Sequence, residues 1–156
     1  MRLVRQRQLT TLLLIAAIVY AGSGFACSTS DISKVKKKVA DAAVILNTAA
    51  KSNRSLYQSG TYGAVGSPGA IEKRQRVATV IHQANEYLAL AVERAANLQP
   101  GDIDIGKADI VALLQRAVTE LNALNIDNEN IKLVIASAVT AINTAVTLTL
   151  AIKGGA

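Results

Sequence analysis

Apolar residues recur at alternating steps of four and three through residues 77–98, and this spacing limits the fold more than any other feature of the chain. The positions are Val77, Ile81, Ala84, Leu88, Ala91, Ala95 and Leu98. Such a heptad pattern places all seven side chains on one side of a helix that packs along another helix. Because three of the seven are alanine, the helix axes can approach closely. The pattern therefore predicts a tightly packed helical bundle.

Three further segments carry the same spacing, so we expect four helices. Their apolar positions are Ile32, Val35, Val39, Ala42, Leu46, Ala49 and Leu56 in the first segment; Ile110, Leu114, Ala117, Leu121 and Leu124 in the third; and Ile131, Ile135, Ala138, Ile142, Ala145 and Ile152 in the last. Asn53 interrupts the first of these seams. Short connections favour antiparallel neighbours. The predicted fold class is all-α, an antiparallel four-helix bundle with Ala-rich heptad seams, preceded by an N-terminal signal or anchor helix.

Polar residues, glycine and proline predict where the helices begin and end. Residues 57–69 are rich in glycine and serine and are expected to form a loop, and residues 101–109 a turn. The candidate N-caps are Ser28 or Ser30, then Ser67 with Pro68 at the first helical position, then Asp104 and Asp127.

The last predicted helix carries no charge from residue 133 to residue 152. A stretch of this length and composition is also long enough to span a bilayer. Its polar residues share one face, opposite the apolar seam, and are Ser137, Thr140, Asn143, Thr144 and Thr147. Because the other three helices supply matching seams, we favour a helix of the bundle over a membrane span.

The N-terminus has the layout of a secretory signal. Residues 1–8 are basic, residues 9–21 are uncharged and mostly apolar, and small residues follow before the chain's one cysteine, Cys27. The apolar run is shorter than the roughly 20 residues that a membrane span needs. The predicted organisation is a signal peptide over 1–26, a tether over 27–30 and a helical domain over 31–156.

The residues "GFAC", ending at Cys27, resemble the lipobox of bacterial lipoprotein precursors. The resemblance implies cleavage before Cys27, a diacylglycerol group on its thiol, and acylation, typically by palmitate, of the new N-terminus. Ser28 differs from the Asp that retains such proteins in the inner membrane of enterobacteria, so the resemblance implies the outer membrane in a cell with two membranes. Two alternatives remain open: a plain secretory signal cut after Ala26 or Ser23, and an uncleaved anchor.

Two groups of residues are candidates for surface contacts. Lys34, Lys36, Lys37 and Lys38 follow soon after Cys27, where they could touch anionic headgroups. A solvated helix face is the simpler interpretation of this cluster. Tyr57 and Tyr62 frame the glycine-rich loop and could form an interaction surface. The alternative is a connector whose tyrosines pack on the bundle.

The residues offer little chemistry. The one histidine, His82, stands four positions before Glu86, which is the wrong offset for a bundle metal site. Asp102, Asp104 and Asp109 lack the spacing of a calcium loop. We therefore expect no enzyme, no cofactor and no metal. The net charge of +6 falls to +3 without Arg2, Arg5 and Arg7, and the basic cluster "EKRQR" of residues 72–76 has no aromatic platform, so we expect no nucleic acid partner.

These observations predict an exported lipoprotein with a structural or protein-interaction role in the cell envelope. Its partners would be membrane lipid through Cys27 and an envelope protein. Heptad seams pair within a chain or between chains, so a homo-oligomer stays open. The alternative is a membrane-active protein of holin-like or pore-forming type, with spans near 9–26 and 133–152.

Overall fold

The computed structural model describes residues 26–125 and 128–152, with side chains from residue 29 onward. Four α-helices make up most of this part, together with one 3-10 turn, and it contains no strand. The helices are α1 (Ala26–Gln58), α2 (Pro68–Ala96), α3 (Ile103–Asn122) and α4 (Glu129–Ala151), and the 3-10 turn is Pro100–Asp102. The predicted all-α bundle is confirmed. The predicted signal or anchor helix lies outside the described residues.

The helices alternate in direction around the bundle. Helix α1 packs against α2 and α4, and α3 packs against the same two, whereas the Cα atoms of diagonal helices do not come within 8 Å of one another in the described part. Lys36, near the start of α1, donates to the carbonyl oxygen of Ala96 at the end of α2 (2.9 Å). Lys107 of α3 likewise reaches Ile152 O, just past α4 (3.4 Å). We call this end the Cys27 end, and the opposite end, with the connection between α1 and α2, the loop end.

The predicted seams form the core. Every seam residue is buried except Leu56 and Leu124, which are half-buried. Burial of each large aliphatic side chain contributes about 1.5–3 kcal/mol. The seam alanines with no exposed surface let the helices pack closely, and they are Ala42, Ala84, Ala91, Ala117, Ala138 and Ala145.

Helix α4 presents its seam to the core and its uncharged polar face outward, as expected. Ser137, Thr140, Asn143, Thr144 and Thr147 are all exposed. Within the described residues, α4 is also the one helix that is long and apolar enough to cross a membrane, with a mean hydropathy of 1.8 and 28% of the tested stretch buried.

Helix starts agree with the sequence only in part. Ser67 caps α2 as predicted, with its side chain accepting from Ala70 N (3.4 Å). Helix α1 begins at Ala26, so the expected cap at Ser28 or Ser30 is wrong and residues 27–30, expected as a tether, are helical. A run with no Gly or Pro gives the helix no reason to stop there.

The cap predicted for α3 is also wrong. Helix α3 begins at Ile103, within the expected turn, and Asp104 lies in its first turn, where it pairs with Lys107 (3.1 Å). Asn128 caps α4, with Oδ1 accepting from the backbone N–H groups of Asn130 and Ile131, and the expected cap Asp127 lies outside the described residues. Gly106 in the first turns of α3 packs closely on Leu98: a Cβ there would lie 2.5 Å from Leu98 Cδ1, so the Leu98 side chain would have to shift.

Candidate functional sites

Cys27, the candidate lipidation residue, lies in the first turn of α1. Its side chain and residues 1–25, which hold almost all of the predicted signal peptide, lie outside the described part. The backbone is helical from Ala26 to Gln58, so the candidate lipidation residue belongs to the same helix that packs in the bundle. A 33-residue helix is about 50 Å long. Helix α1 therefore separates Cys27 from the loop end by about that distance.

The four lysines near Cys27 are engaged to different degrees. Lys34 pairs with Asp31 (2.9 Å) and Lys38 with Asp41 (3.8 Å), both on the exposed surface. Lys36 is half-buried and bonds the last carbonyl of α2, where a cation also favours the helix dipole. Lys37 is exposed. Contact with headgroups stays a prediction for this cluster, and Lys36 is the member already committed to the fold.

Tyr62, predicted as part of an interaction loop, turns inward. It is 7% exposed, and its hydroxyl donates to Asn53 Oδ1. Asn53 is itself buried, and its Nδ2 donates to Arg74 O (3.3 Å). Burial raises the pKa of Tyr62 to about 12, although the nearby Arg74 acts in the opposite direction. These bonds tie α1, the loop and α2 together, so Tyr62 offers little surface to a partner.

Tyr57, the second predicted contact residue, is half-buried beside the hydrogen-bonded residues Tyr62 and Asn53. Its hydroxyl accepts a hydrogen bond from Gly66 N (3.0 Å), which closes the loop on itself. The Arg74 guanidinium lies 5.2 Å from the centroid of the Tyr57 ring, a cation–π distance. Both tyrosines therefore pack on the bundle, which is the alternative that the sequence left open. A contact role for the loop stays a prediction.

Cationic side chains surround two concavities at the loop end. Lys51, Arg54 and Arg74 line a groove of about 410 Å³ between α1 and α2. On the other side of α2, Lys73 and Arg76 line a cavity of about 130 Å³, together with Leu124, Asn125 and Asn128. The sequence showed only the cluster of residues 72–76. Lys51 and Arg54, near the end of α1, lie close to this cluster only because α1 packs against α2. In the sequence, the one indication of this was that Lys and Arg recur near the end of α1.

The residues considered in the sequence for catalysis and metal binding do not form a common site. His82 Nε2 lies 3.5 Å from Glu86 Oε1 on the exposed surface of α2. Asp102, Asp104 and Asp109 are exposed. Within the described part, no group of three His, Cys, Asp or Glu side chains is placed to hold a metal ion.

Comparison of the chain with protein-family models, curated proteins and solved structures returns no match.

Proposed function

We propose that the protein is an exported lipoprotein, anchored through Cys27, that presents a rigid four-helix bundle in the cell envelope. The observation that carries the proposal is the order of the N-terminal residues: basic 1–8, apolar 9–21, small residues, then Cys27. Acyl chains contribute about 0.8 kcal/mol per buried CH₂, and more than one chain is needed for a durable anchor.

The bundle is consistent with this role because the described core is formed by side chains from within residues 27–156. The buried hydrophobic residues extend from Ile32 to Ile152, and each of the four helices contributes to them. Removal of residues 1–26 would thus leave these core contacts in place. The role itself would be structural or interactive, with membrane lipid and an envelope protein as partners.

Labelling with an alkyne analogue of palmitate tests the anchor. We expect the wild-type chain to take up the label, and Cys27→Ser to lose it because the thiol that starts the processing is gone. Ser28→Asp is a matched control, since it keeps Cys27: it should be labelled like the wild type but move from the outer to the inner membrane of an enterobacterial host. Equal labelling of Cys27→Ser and wild type would contradict the proposal.

A second candidate is a membrane-active protein that uses α4 as a span. Its support is the length and hydropathy of α4. The threonine hydroxyls of α4 add to it, because they donate to the carbonyl oxygens four residues earlier and so cost less to remove from water. The bonds are those of Thr140, Thr144, Thr147 and Thr149, at 2.7–3.0 Å.

Thiol labelling in permeabilised cells separates the two candidates. Thr144 is exposed in the bundle, so Thr144→Cys should react with a membrane-impermeant maleimide. In a bilayer span it would be shielded. Ser55→Cys, exposed at the loop end, is the control that should react in either case. Peptide mass mapping assigns the label separately from Cys27.

A further inference from the structure

The loop end of the bundle concentrates positive charge. Between residues 51 and 76 there are five cationic side chains and one carboxylate, that of Glu72. Glu72 pairs with Arg76 (3.2 Å). Within the described residues, the other four cations have no carboxylate within 4 Å. We call the five the basic face, and they are Lys51, Arg54, Lys73, Arg74 and Arg76.

The basic face is concave on both sides of α2. The groove between α1 and α2 combines three cations with the Ser55 side chain, over a floor that includes Ala50 and Ala78. The small alanines leave the space that the longer cationic side chains surround. The cavity on the opposite side combines Lys73 and Arg76 with hydrogen-bonding side chains of the loop and the α3–α4 connection, namely Thr61, Asn125 and Asn128.

One hydrogen-bond donor of Arg74, a residue that lines the groove, has no acceptor in the described part of the chain. Its Nε atom is buried and has no acceptor among the described residues. Tyr57 lies against the guanidinium at 5.2 Å, which limits where that group can turn for another partner. A buried donor without an acceptor is costly, so a rotation of the Arg74 side chain that brings Nε to an acceptor in the groove is favourable.

We propose that the basic face binds phosphate groups. Phosphate offers several acceptor oxygens and a charge of up to −2, which suits guanidinium donors in bidentate contact and lysines as point charges. The groove and the cavity would each take one phosphate, either from one ligand that carries several or from two neighbouring headgroups. The headgroups of an anionic lipid surface and a free phosphorylated molecule share this chemistry, and the experiment distinguishes them. If Cys27 is lipidated, the lipid source would be a surface about 50 Å from the anchor.

The test compares two variants of the full chain that lose the same two charges. Arg54→Gln/Arg76→Gln removes one cation from the groove and one from the cavity. Arg94→Gln/Arg116→Gln removes two arginines from elsewhere on α2 and α3. All four arginines are exposed, so both variants should fold, and thermal unfolding by circular dichroism checks this. The chain is assayed as purified, in phosphatidylcholine nanodiscs if it carries a membrane anchor and in buffer if it does not.

Two probes separate the sources of phosphate. Sodium tripolyphosphate, measured by calorimetry, represents a free ligand, and phosphatidylglycerol vesicles, measured by co-flotation, represent headgroups. We expect the wild type to bind at least one probe, with affinity that falls as salt rises. Arg54→Gln/Arg76→Gln should weaken binding by about tenfold or more, and the control variant by no more than about twofold.

Each outcome of these measurements either identifies the source of phosphate or overturns the proposal. Loss of vesicle binding alone identifies a lipid surface, and loss of tripolyphosphate binding identifies a free ligand. No binding of either probe by the wild type, or equal weakening in both variants, would overturn the proposal. Processing at Cys27 does not enter these measurements, so their failure is distinct from failure of the lipoprotein proposal.

Discussion

The Tyr62 hydroxyl donates a hydrogen bond to Asn53 Oδ1, and this buried pair joins the loop to helix α1. Asn53 interrupts the apolar seam of α1, yet it is only 4% exposed. Its polar side chain is tolerated because both ends are satisfied, by Tyr62 and by Arg74 O. The interruption in the heptad pattern therefore marks the place where the loop is fastened to the bundle.

Removal of either member of this pair should destabilise the fold. Tyr62→Phe and Asn53→Ala each leave a buried polar group without its partner, which costs about 1–3 kcal/mol. Because they break the same bond, the double variant should lose less than the sum of the two, with a coupling of about 0.5–3 kcal/mol. Urea unfolding of the four chains measures the cycle. Strict additivity would contradict the role of the bond.

Alkaline pH should weaken the fold through Tyr62. Its pKa is about 12 in the folded chain against 10.0 for an ordinary tyrosine, so the folded state favours the protonated hydroxyl. The stabilisation is fully present below pH 10 and is lost as the pH rises from 10 to 12, at up to about 1.4 kcal/mol per pH unit. Unfolding free energy measured over this range should fall more steeply for the wild type than for Tyr62→Phe. Parallel curves would contradict the prediction.

The alanine seam predicts that the same substitution will change stability very differently at a buried and at an exposed alanine of α2. Ala84 has no exposed surface, so Ala84→Leu should overpack the core and cost about 1–3 kcal/mol or more. Ala89 is exposed on the same helix, and Ala89→Leu should change stability by less than about 0.5 kcal/mol. Thermal unfolding compares the pair. Similar stability of the two variants would show that the helices do not depend on close approach at Ala84.

Two glycines near the start of α2 predict opposite effects. Gly66 has a φ of +87°, a conformation that costs a residue with a Cβ about 1–2 kcal/mol. Gly66→Ala should therefore be destabilising, although there is open space around it. Gly69 lies in the first turn of α2, also in open space, and Gly69→Ala should be neutral or stabilising by up to about 1 kcal/mol. A destabilised Gly69→Ala chain would contradict this contrast.

Repetitive features of the fold could be predicted from the sequence, and single local features less well. Heptad spacing identified the buried face of each helix, because the helical period fixes which side chains share a face. The cap at Ser67 was predictable because Pro68 follows it. Asp104 was mistaken for a cap because a carboxylate is equally favourable inside the first turn.

The loop end was beyond sequence reasoning for a different reason. Tyr62 and Asn53 are nine residues apart, and Lys51 and Arg74 lie on different helices, so their placement depends on how α1 and α2 pack. Composition showed a polar, glycine-rich loop, which is compatible with an exposed or an inward-facing tyrosine. The buried Tyr62–Asn53 pair and the basic face both follow from that tertiary packing.

The most direct test of the account is the intact mass of the chain extracted from membranes, compared with that of Cys27→Ser. We predict a mass that fits residues 27–156 plus lipid for the wild type, and an unprocessed chain beginning at Met1 for the variant. A wild-type mass that also begins at Met1 and carries no lipid would contradict the lipoprotein anchor and favour the protein with two membrane spans.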